Sequence, residues 1–150
     1  MPEEPVTPAA RLVMAFDFGR RRIGVACGDT VSRTATPLAI VAAGPGGQQW
    51  PAIGALVRDW QPALAVVGLP YNTNGTESDM TIAARAFAEE LAARCRLRVD
   101  LIDERYSSLE ALERLKAARE SGLRRRRIGK TDIDAGAACI ILERWITENS

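Results

Sequence analysis

Three carboxylates carry the chemistry open to this chain. Asp17 closes the apolar run 12–16, and after it come Phe18, Gly19 and three arginines, Arg20, Arg21 and Arg22. Glu104 ends the β-rich stretch VDLIDE at 99–104, and Asp134 opens the last amphipathic segment. An acid is costly to desolvate, so one that closes a hydrophobic strand needs a partner. Three acids in one cleft would raise each other's pKa, and divalent cations remove that penalty. The chain has no histidine, which excludes Ser-His-Asp and Cys-His triads, a histidine base and a histidine-held zinc. An oxygen-only ligand set suits Mg²⁺ or Mn²⁺. A pair of such ions about 4 Å apart activates water and holds the leaving oxygen in phosphodiester hydrolysis. Asp17, Glu104 and Asp134 are therefore the expected catalytic acids and the ligands of one or two ions. Each also has a plainer role when taken alone: Asp17 as a turn aspartate, Glu104 as the ion-pair partner of Arg105, Asp134 as a helix N-cap.

The elements that must position these acids follow from hydropathy. The continuous apolar run at 12–16 suits a strand buried on both faces. After the Gly-Arg turn, Ile23, Val25 and Cys27 alternate with Gly24, Ala26 and Gly28. This second strand has an apolar face and a nearly bare one, open to close approach by a helix or a ligand. PLAIV at 37–41 is a third strand, and Gly44-Pro45-Gly46-Gly47 a loop. Ile53, Leu56, Val57 and Trp60 mark a short helix ended by Gln61-Pro62. ALAVVG at 63–68 is a buried strand. The loop 69–79 is rich in turn formers and caps. Met80, Ala84, Phe87, Leu91 and Cys95 stripe a long helix. Ser107 and Glu110 have capping-box spacing before a helix with Leu109, Leu112 and Leu115 on one face. A basic stretch, 121–130, carries Arg124, Arg125, Arg126 and Arg127 and precedes a final helix over 132–146.

Strand spacing makes the first three strands an antiparallel meander, and the two later ones, separated by helices, run parallel to the first. The expected fold is α/β, a mixed five-stranded sheet flanked by helices. Ligands bind such sheets at the carboxyl ends of the parallel strands, where Asp17, the loop after Gly68 and Glu104 all fall. Strand alternation turns Asp103 to the face opposite Glu104.

At 150 residues, 47% hydrophobic and 26% charged, the chain is long enough for one cored domain. Residues 1–10, with three prolines and two glutamates, read as a disordered tail, and 11–150 as a single domain. The tail lacks signal-peptide character and no run is apolar enough to span a bilayer. The three cysteines, Cys27, Cys95 and Cys139, show no short pairing, which fits the cytosol. With a net charge of +1, nucleic-acid binding must come from local clusters. One is Arg20, Arg21 and Arg22; the other is Arg124, Arg125, Arg126 and Arg127. Both flank one cleft if the acids meet. The three tryptophans read as core, since Trp60 and Trp145 lie on apolar helix faces.

Four ordered segments, DFGRRRIGVACGD, GLPYNTNGTESDM, DERYSSLEA and KTDIDAGAACIILERWI, resemble the motifs of the YqgF (RuvX-like) family. The resemblance covers residues 12–146 and implies an RNase H-like nuclease. It implies maturation of the 5′ end of pre-16S rRNA, with resolution of Holliday junctions in branched DNA as the alternative. It puts the family's acids on Asp17, Glu104 and Asp134, and its substrate-loop residues on Asn72, Gly75 and Thr76. It also puts its arginine on Arg105 and its lysine on Lys130. Its implied partners are RNA or branched DNA, extending to ribosomal precursor particles, with no membrane. Symmetric cutting of a junction needs two active sites, so monomer and homodimer both stay open. Arg20 departs from the family's small hydroxyl and adds charge beside the site. Two rivals stand beside this reading. An ATP-dependent phosphotransferase also opens on a D-x-G hairpin but needs two such domains. A non-catalytic RNA-binding module would use the arginines alone.

Overall fold

The structure, a computed structural model, describes residues 11–103 and 130–149, with the backbone alone over 130–135. The expected tail, Glu104, Arg105 and the leucine-striped helix lie outside the described residues. So does the whole second arginine cluster, Arg124, Arg125, Arg126 and Arg127. The strands are β1 (Leu12–Asp17), β2 (Arg22–Asp29), β3 (Thr34–Ala42), β4 (Leu64–Leu69) and β5 (Val99–Asp103). The helices are α1 (Gln49–Trp60), α2 (Asp79–Cys95) and α3 (Lys130–Glu148).

The sheet order is β3-β2-β1-β4-β5. β1, β2 and β3 form the antiparallel meander, and β4 and β5 join parallel to β1. β1 is thus the central strand, as its unbroken apolar run requires.

Strand alternation divides the core in two. Met14, Phe16, Ile23, Val25, Ala65 and Val67 face α1 and α2, together with Trp50, Ile53, Phe87 and Leu91. Val13, Ala15, Leu64, Val66 and Ile102 face α3, through Ile141, Leu142, Trp145 and Ile146. Ala26 meets Ala138 and Cys139 on the same side. The bare face of β2 therefore serves close packing of a helix. A Cβ on Gly28 would overlap the Thr34 carbonyl oxygen and stand 2.8 Å from Leu142 Cδ2.

Some boundaries differ from the sequence reading. α1 begins at Gln49 and β3 runs from Thr34. α3 begins at Lys130, so Asp134 lies inside the helix rather than at its cap. Trp50 and Trp145 are buried, but Trp60 is 43% exposed. It is the last residue of α1, just before Gln61 turns the chain in the left-handed region, so the apolar periodicity outruns the core there.

Candidate active site

Asp17 ends β1 with the parity of Val13 and Ala15, so it belongs to the α3 face of the sheet. Its cross-strand partner is Gly24 of β2. On the other side, Phe16 pairs with Val67 of β4, which sets Gly68 beside Asp17. The carboxylate therefore stands between two residues without side chains. Phe18 returns to the opposite face and packs on Phe87, with ring centroids 5.0 Å apart. A cleft of about 240 Å³ opens at this strand end, lined by Asp17, Phe18, Gly19, Arg21, Arg22 and Gly24.

The hairpin from β1 to β2 brings the first arginine cluster to this cleft. A Cβ on Gly19 would lie 2.5 Å from the Arg22 carbonyl oxygen, so the tight turn requires glycine. All three arginines are exposed. Arg22 shares the parity of Gly24 and hence the face of Asp17, whereas Arg21 is out of phase and its carbonyl accepts from the Ala43 N–H at 2.8 Å. Arg20 stands at the tip, outside the cleft lining. The second cluster, Arg124, Arg125, Arg126 and Arg127, lies outside the described residues, so the cleft's described cationic border comes from the hairpin.

Helix α3 approaches this site in register with β2. Leu142 lies over Gly28, and Ala138 packs with Ala26. Four helical residues rise about 6 Å and two strand residues about 6.8 Å, so each turn of helix matches two residues of strand. Lys130 and Asp134 belong to the part of α3 whose backbone alone is described.

β5 delivers the third strand end. Gly68 pairs with Ile102 and Leu69 with Asp103. Asp103 has the parity of Leu101 and Val99, while Asp100 and Ile102 face α3. Two neighbouring residues of α3 grip this strand. Trp145 Nε1 donates to Asp100 Oδ2 at 2.8 Å, and Arg144 Nη1 donates to the Asp103 carbonyl at 3.0 Å. Partial burial would raise the Asp100 pKa, but hydrogen bonds from Arg98 and Trp145 and the Arg98 charge outweigh it and hold the carboxyl below its ordinary range.

The loop after β4 folds on itself. Asn72 N–H donates to the Thr76 carbonyl, Gly75 N–H to the Asn72 carbonyl, and Thr76 N–H to Asn74 Oδ1. Asn72 Nδ2 also donates to Thr76 Oγ1 at 3.0 Å. Gly75 has φ +88°, the left-handed region that glycine adopts at no steric cost. The structure thus brings Asn72, Gly75 and Thr76 together at an exposed tip, with these three backbone donors already engaged within the loop. Behind it, Ser78 caps α2 in a box with Thr81, and the buried Thr81 hydroxyl donates to the Pro70 carbonyl at 2.8 Å. This S-x-x-T cap escaped the sequence reading, which sought the box at Ser107. Burial pushes the Cys27 thiol pKa up, which disfavours its thiolate. Among the described residues, no three potential ligands cluster as a metal site.

The family model RuvX, described as Holliday junction resolvase, matches residues 11–148. The chain belongs to the RuvX family. Among RuvX relatives, a protein of Marinobacter nauticus is 42% identical over 95% of this chain and 97% of its own length. One from Nitrosococcus oceani is 42% identical, over 97% and 93% respectively. Both carry the name "Putative pre-16S rRNA nuclease". The fold matches that of Thermus thermophilus RuvC in complex with a Holliday junction substrate. That match has TM-score 0.55 and 15% identity, over 93% of this chain and 95% of that one. The fowlpox virus resolvase in its Holliday junction DNA complex gives TM-score 0.55 at 9% identity, over 92% and 98%. The RuvX chain therefore has the RNase H-like fold that its motifs implied.

Proposed function

We propose that this chain is a metal-dependent nuclease that hydrolyses phosphodiester bonds in the 5′ maturation of pre-16S rRNA. The observation that carries the reading is the setting of Asp17. It ends the central strand on the α3 face, beside Gly24, in a cleft bordered by Arg21 and Arg22. The relatives' name supplies the substrate, and rRNA is processed in the cytoplasm, where this protein would act on RNA or its precursor particles.

Asp17, Glu104 and Asp134 would hold one or two Mg²⁺ or Mn²⁺ ions. The oxygen-only donor set fits these hard cations. The packing register supports the choice of Asp134: one turn before Ala138, the same step that carries Leu142 and Ala138 along β2 reaches Gly24, the partner of Asp17. The choice of Glu104 rests on its place in the DERYSSLEA motif directly after β5. A divalent ion in that site supplies a Lewis acid for the attacking water and the leaving oxygen. The arginines of the β1–β2 turn would hold and orient the phosphate backbone, with Lys130, Arg105, Arg124, Arg125, Arg126 and Arg127. Such contacts position nucleic acid without reading its sequence. Asn72 and Thr76 would offer side-chain contacts from the neighbouring strand end, with Gly75 shaping the turn that presents them.

The test is a cleavage panel of single-stranded RNA, precursor rRNA ends, four-way DNA junctions and duplex DNA, with Mg²⁺ and with Mn²⁺. Cleavage of precursor ends is expected. Asp17→Asn should abolish it while binding persists or tightens, because phosphate repulsion falls. Activity in Asp17→Asn, or in EDTA, overturns the mechanism. The family's description as a Holliday junction resolvase favours one second reading, and selective junction cleavage in the panel would establish it instead.

A further inference from the structure

The exposed turn 72–76 is closed on itself, so its orientation depends on the residues that join it to β4 and α2. Asn72 N–H donates to the Thr76 carbonyl at 2.8 Å, and Asn72 Nδ2 donates to Thr76 Oγ1 at 3.0 Å. The joining residues are Tyr71 on entry and Glu77 on exit. Just outside them the chain is fixed. The Pro70 carbonyl accepts from the Thr81 and Ser78 hydroxyls at 2.8 and 3.2 Å, and Ser78 is the cap of α2. One guanidinium spans the two joints. Arg85 Nη2, on α2, donates to Glu77 Oε2 at 2.9 Å and to Tyr71 Oη at 3.3 Å. That nitrogen carries two hydrogens, one for each stem of the turn.

We propose that Arg85 is a positioning residue for nucleic-acid binding: by bridging Glu77 and Tyr71 it fixes where the turn presents Asn72 and Thr76. This rests on the reading of Asn72 and Thr76 as substrate contacts. Arg85 acts through the turn and not on phosphate. A turn free to take other orientations binds more weakly, in proportion to the fraction of the time it is misplaced. The bridge reverses an expected sign. Glu77 is an anion beside a site for a polyanion, so charge alone makes its removal tighten binding. Bridging requires the opposite, because the loss of Glu77 releases one stem of the turn.

The experiment measures the affinity of the full-length protein for fluorescein-labelled single-stranded RNA by anisotropy, over a range of salt and without divalent ions, so that no cleavage intervenes. The Arg85 and Glu77 side chains are 33% and 45% exposed, so the effect is that of a surface pair. Arg85→Ala and Glu77→Ala should each bind about 2- to 5-fold more weakly. The double variant should bind about as weakly as either alone, because both changes remove one interaction. The salt slope should stay parental in all three, since no phosphate contact is lost. Arg94 is the control: it pairs with Glu90 at 2.7 Å at the far end of α2, and Arg94→Ala should leave the affinity unchanged. Parental or tighter binding in Glu77→Ala overturns the proposal, as does an equal loss in Arg94→Ala. A salt slope lowered by about one in Arg85→Ala overturns it too, by making Arg85 itself a phosphate contact. Parental binding with Asn72→Ala and Thr76→Ala combined overturns the underlying reading of the turn instead.

Discussion

The two faces of the sheet are packed on opposite plans. On the α1–α2 face the core is aromatic. Phe87 stacks on Trp50 at 5.3 Å and meets Phe16 edge-on at 5.9 Å, with Phe18 tilted against it. Arg94 caps the stack, 4.8 Å above the Trp50 ring. On the α3 face the side chains shrink toward the carboxyl ends of the parallel strands. One row across β2, β1 and β4 is Gly28, Val13 and Leu64, and the next is Ala26, Ala15 and Val66. The row after that is Gly24 and Asp17, with Gly68 beside them. One face fills space with large rings and holds the sheet rigid. The other clears space so that a helix comes close and the acid at the sheet's edge stands between two glycines. The difference teaches that, on the proposed function, stability and chemistry fall on separate sides of one strand, alternating residue by residue along β1.

The largest break in this comparison is Phe87→Ala. Removing the ring at the centre of the aromatic stack should cost about 3–5 kcal/mol, read from urea unfolding. The fraction that stays folded should keep the parental Mn²⁺ midpoint for cleavage. A shifted midpoint would mean that the aromatic face shapes the site after all. Gly28→Ala attacks the other face. Its Cβ meets backbone at Thr34 and the Leu142 side chain, and such overpacking costs about 1–3 kcal/mol. Here the Mn²⁺ midpoint should rise, because α3 is pushed away from the sheet that bears Asp17. Loss of stability with an unmoved midpoint would uncouple helix seating from the site.

The arginine turn sharpens the same division at smaller amplitude. Arg22 has the parity of Asp17, and Arg20 does not line the cleft. Arg22→Ala should therefore weaken RNA binding and lower the salt slope by about one phosphate contact. Arg20→Ala should change both less. Stability should stay within about 0.5 kcal/mol for either, and equal effects on binding would remove the role given to strand parity.

Much of this was legible in the sequence, for a reason that the two faces make plain. Alternation and turn chemistry are local, so the apolar run before Asp17, the Gly24-Ala26-Gly28 face and the crossovers gave the antiparallel meander and the direction of the two parallel strands, but not the order of those two beside β1. A glycine at 75 allows a positive φ or a close backbone approach, and the structure takes the first. What escaped is long-range. Arg144 and Trp145 reach residues 41 and 45 positions away, and nothing in their own neighbourhood marks them. Helix ends also escaped. Asp134 resembles a cap only if α3 starts beside it, and the helix already runs from Lys130. Trp60 keeps the apolar spacing of α1 one turn beyond the half-buried Leu56 and Val57, where the periodicity no longer reports burial.

The smallest effect expected separates the two grips of α3 on β5 by pH. The Asp100 carboxyl is partly buried, which alone would raise its pKa; the hydrogen bonds from Arg98 and Trp145 more than offset this, and the net direction is downward. A carboxyl depressed in the folded state binds its proton less tightly than in the unfolded chain. Its contribution is therefore complete above the unfolded value, about 3.9, and is lost as pH falls through the lower folded value. The Arg98 side chain is 62% exposed, so solvent screening limits the effect to about 0.5–1 kcal/mol. Asp100→Asn should reduce stability at neutral pH by that amount and flatten the acid limb of the stability curve below about pH 4. The hydrogen bond from Arg144 to the Asp103 carbonyl has no titrating acceptor, so that contact itself is the same at every pH of this range. Thermal unfolding of the metal-free protein between pH 3 and 7 makes the measurement. An acid limb in Asp100→Asn as steep as the parent's would remove the carboxylate from the link between β5 and α3. The contact would then rest on the packing of the Trp145 ring against Ile102 and its neighbours.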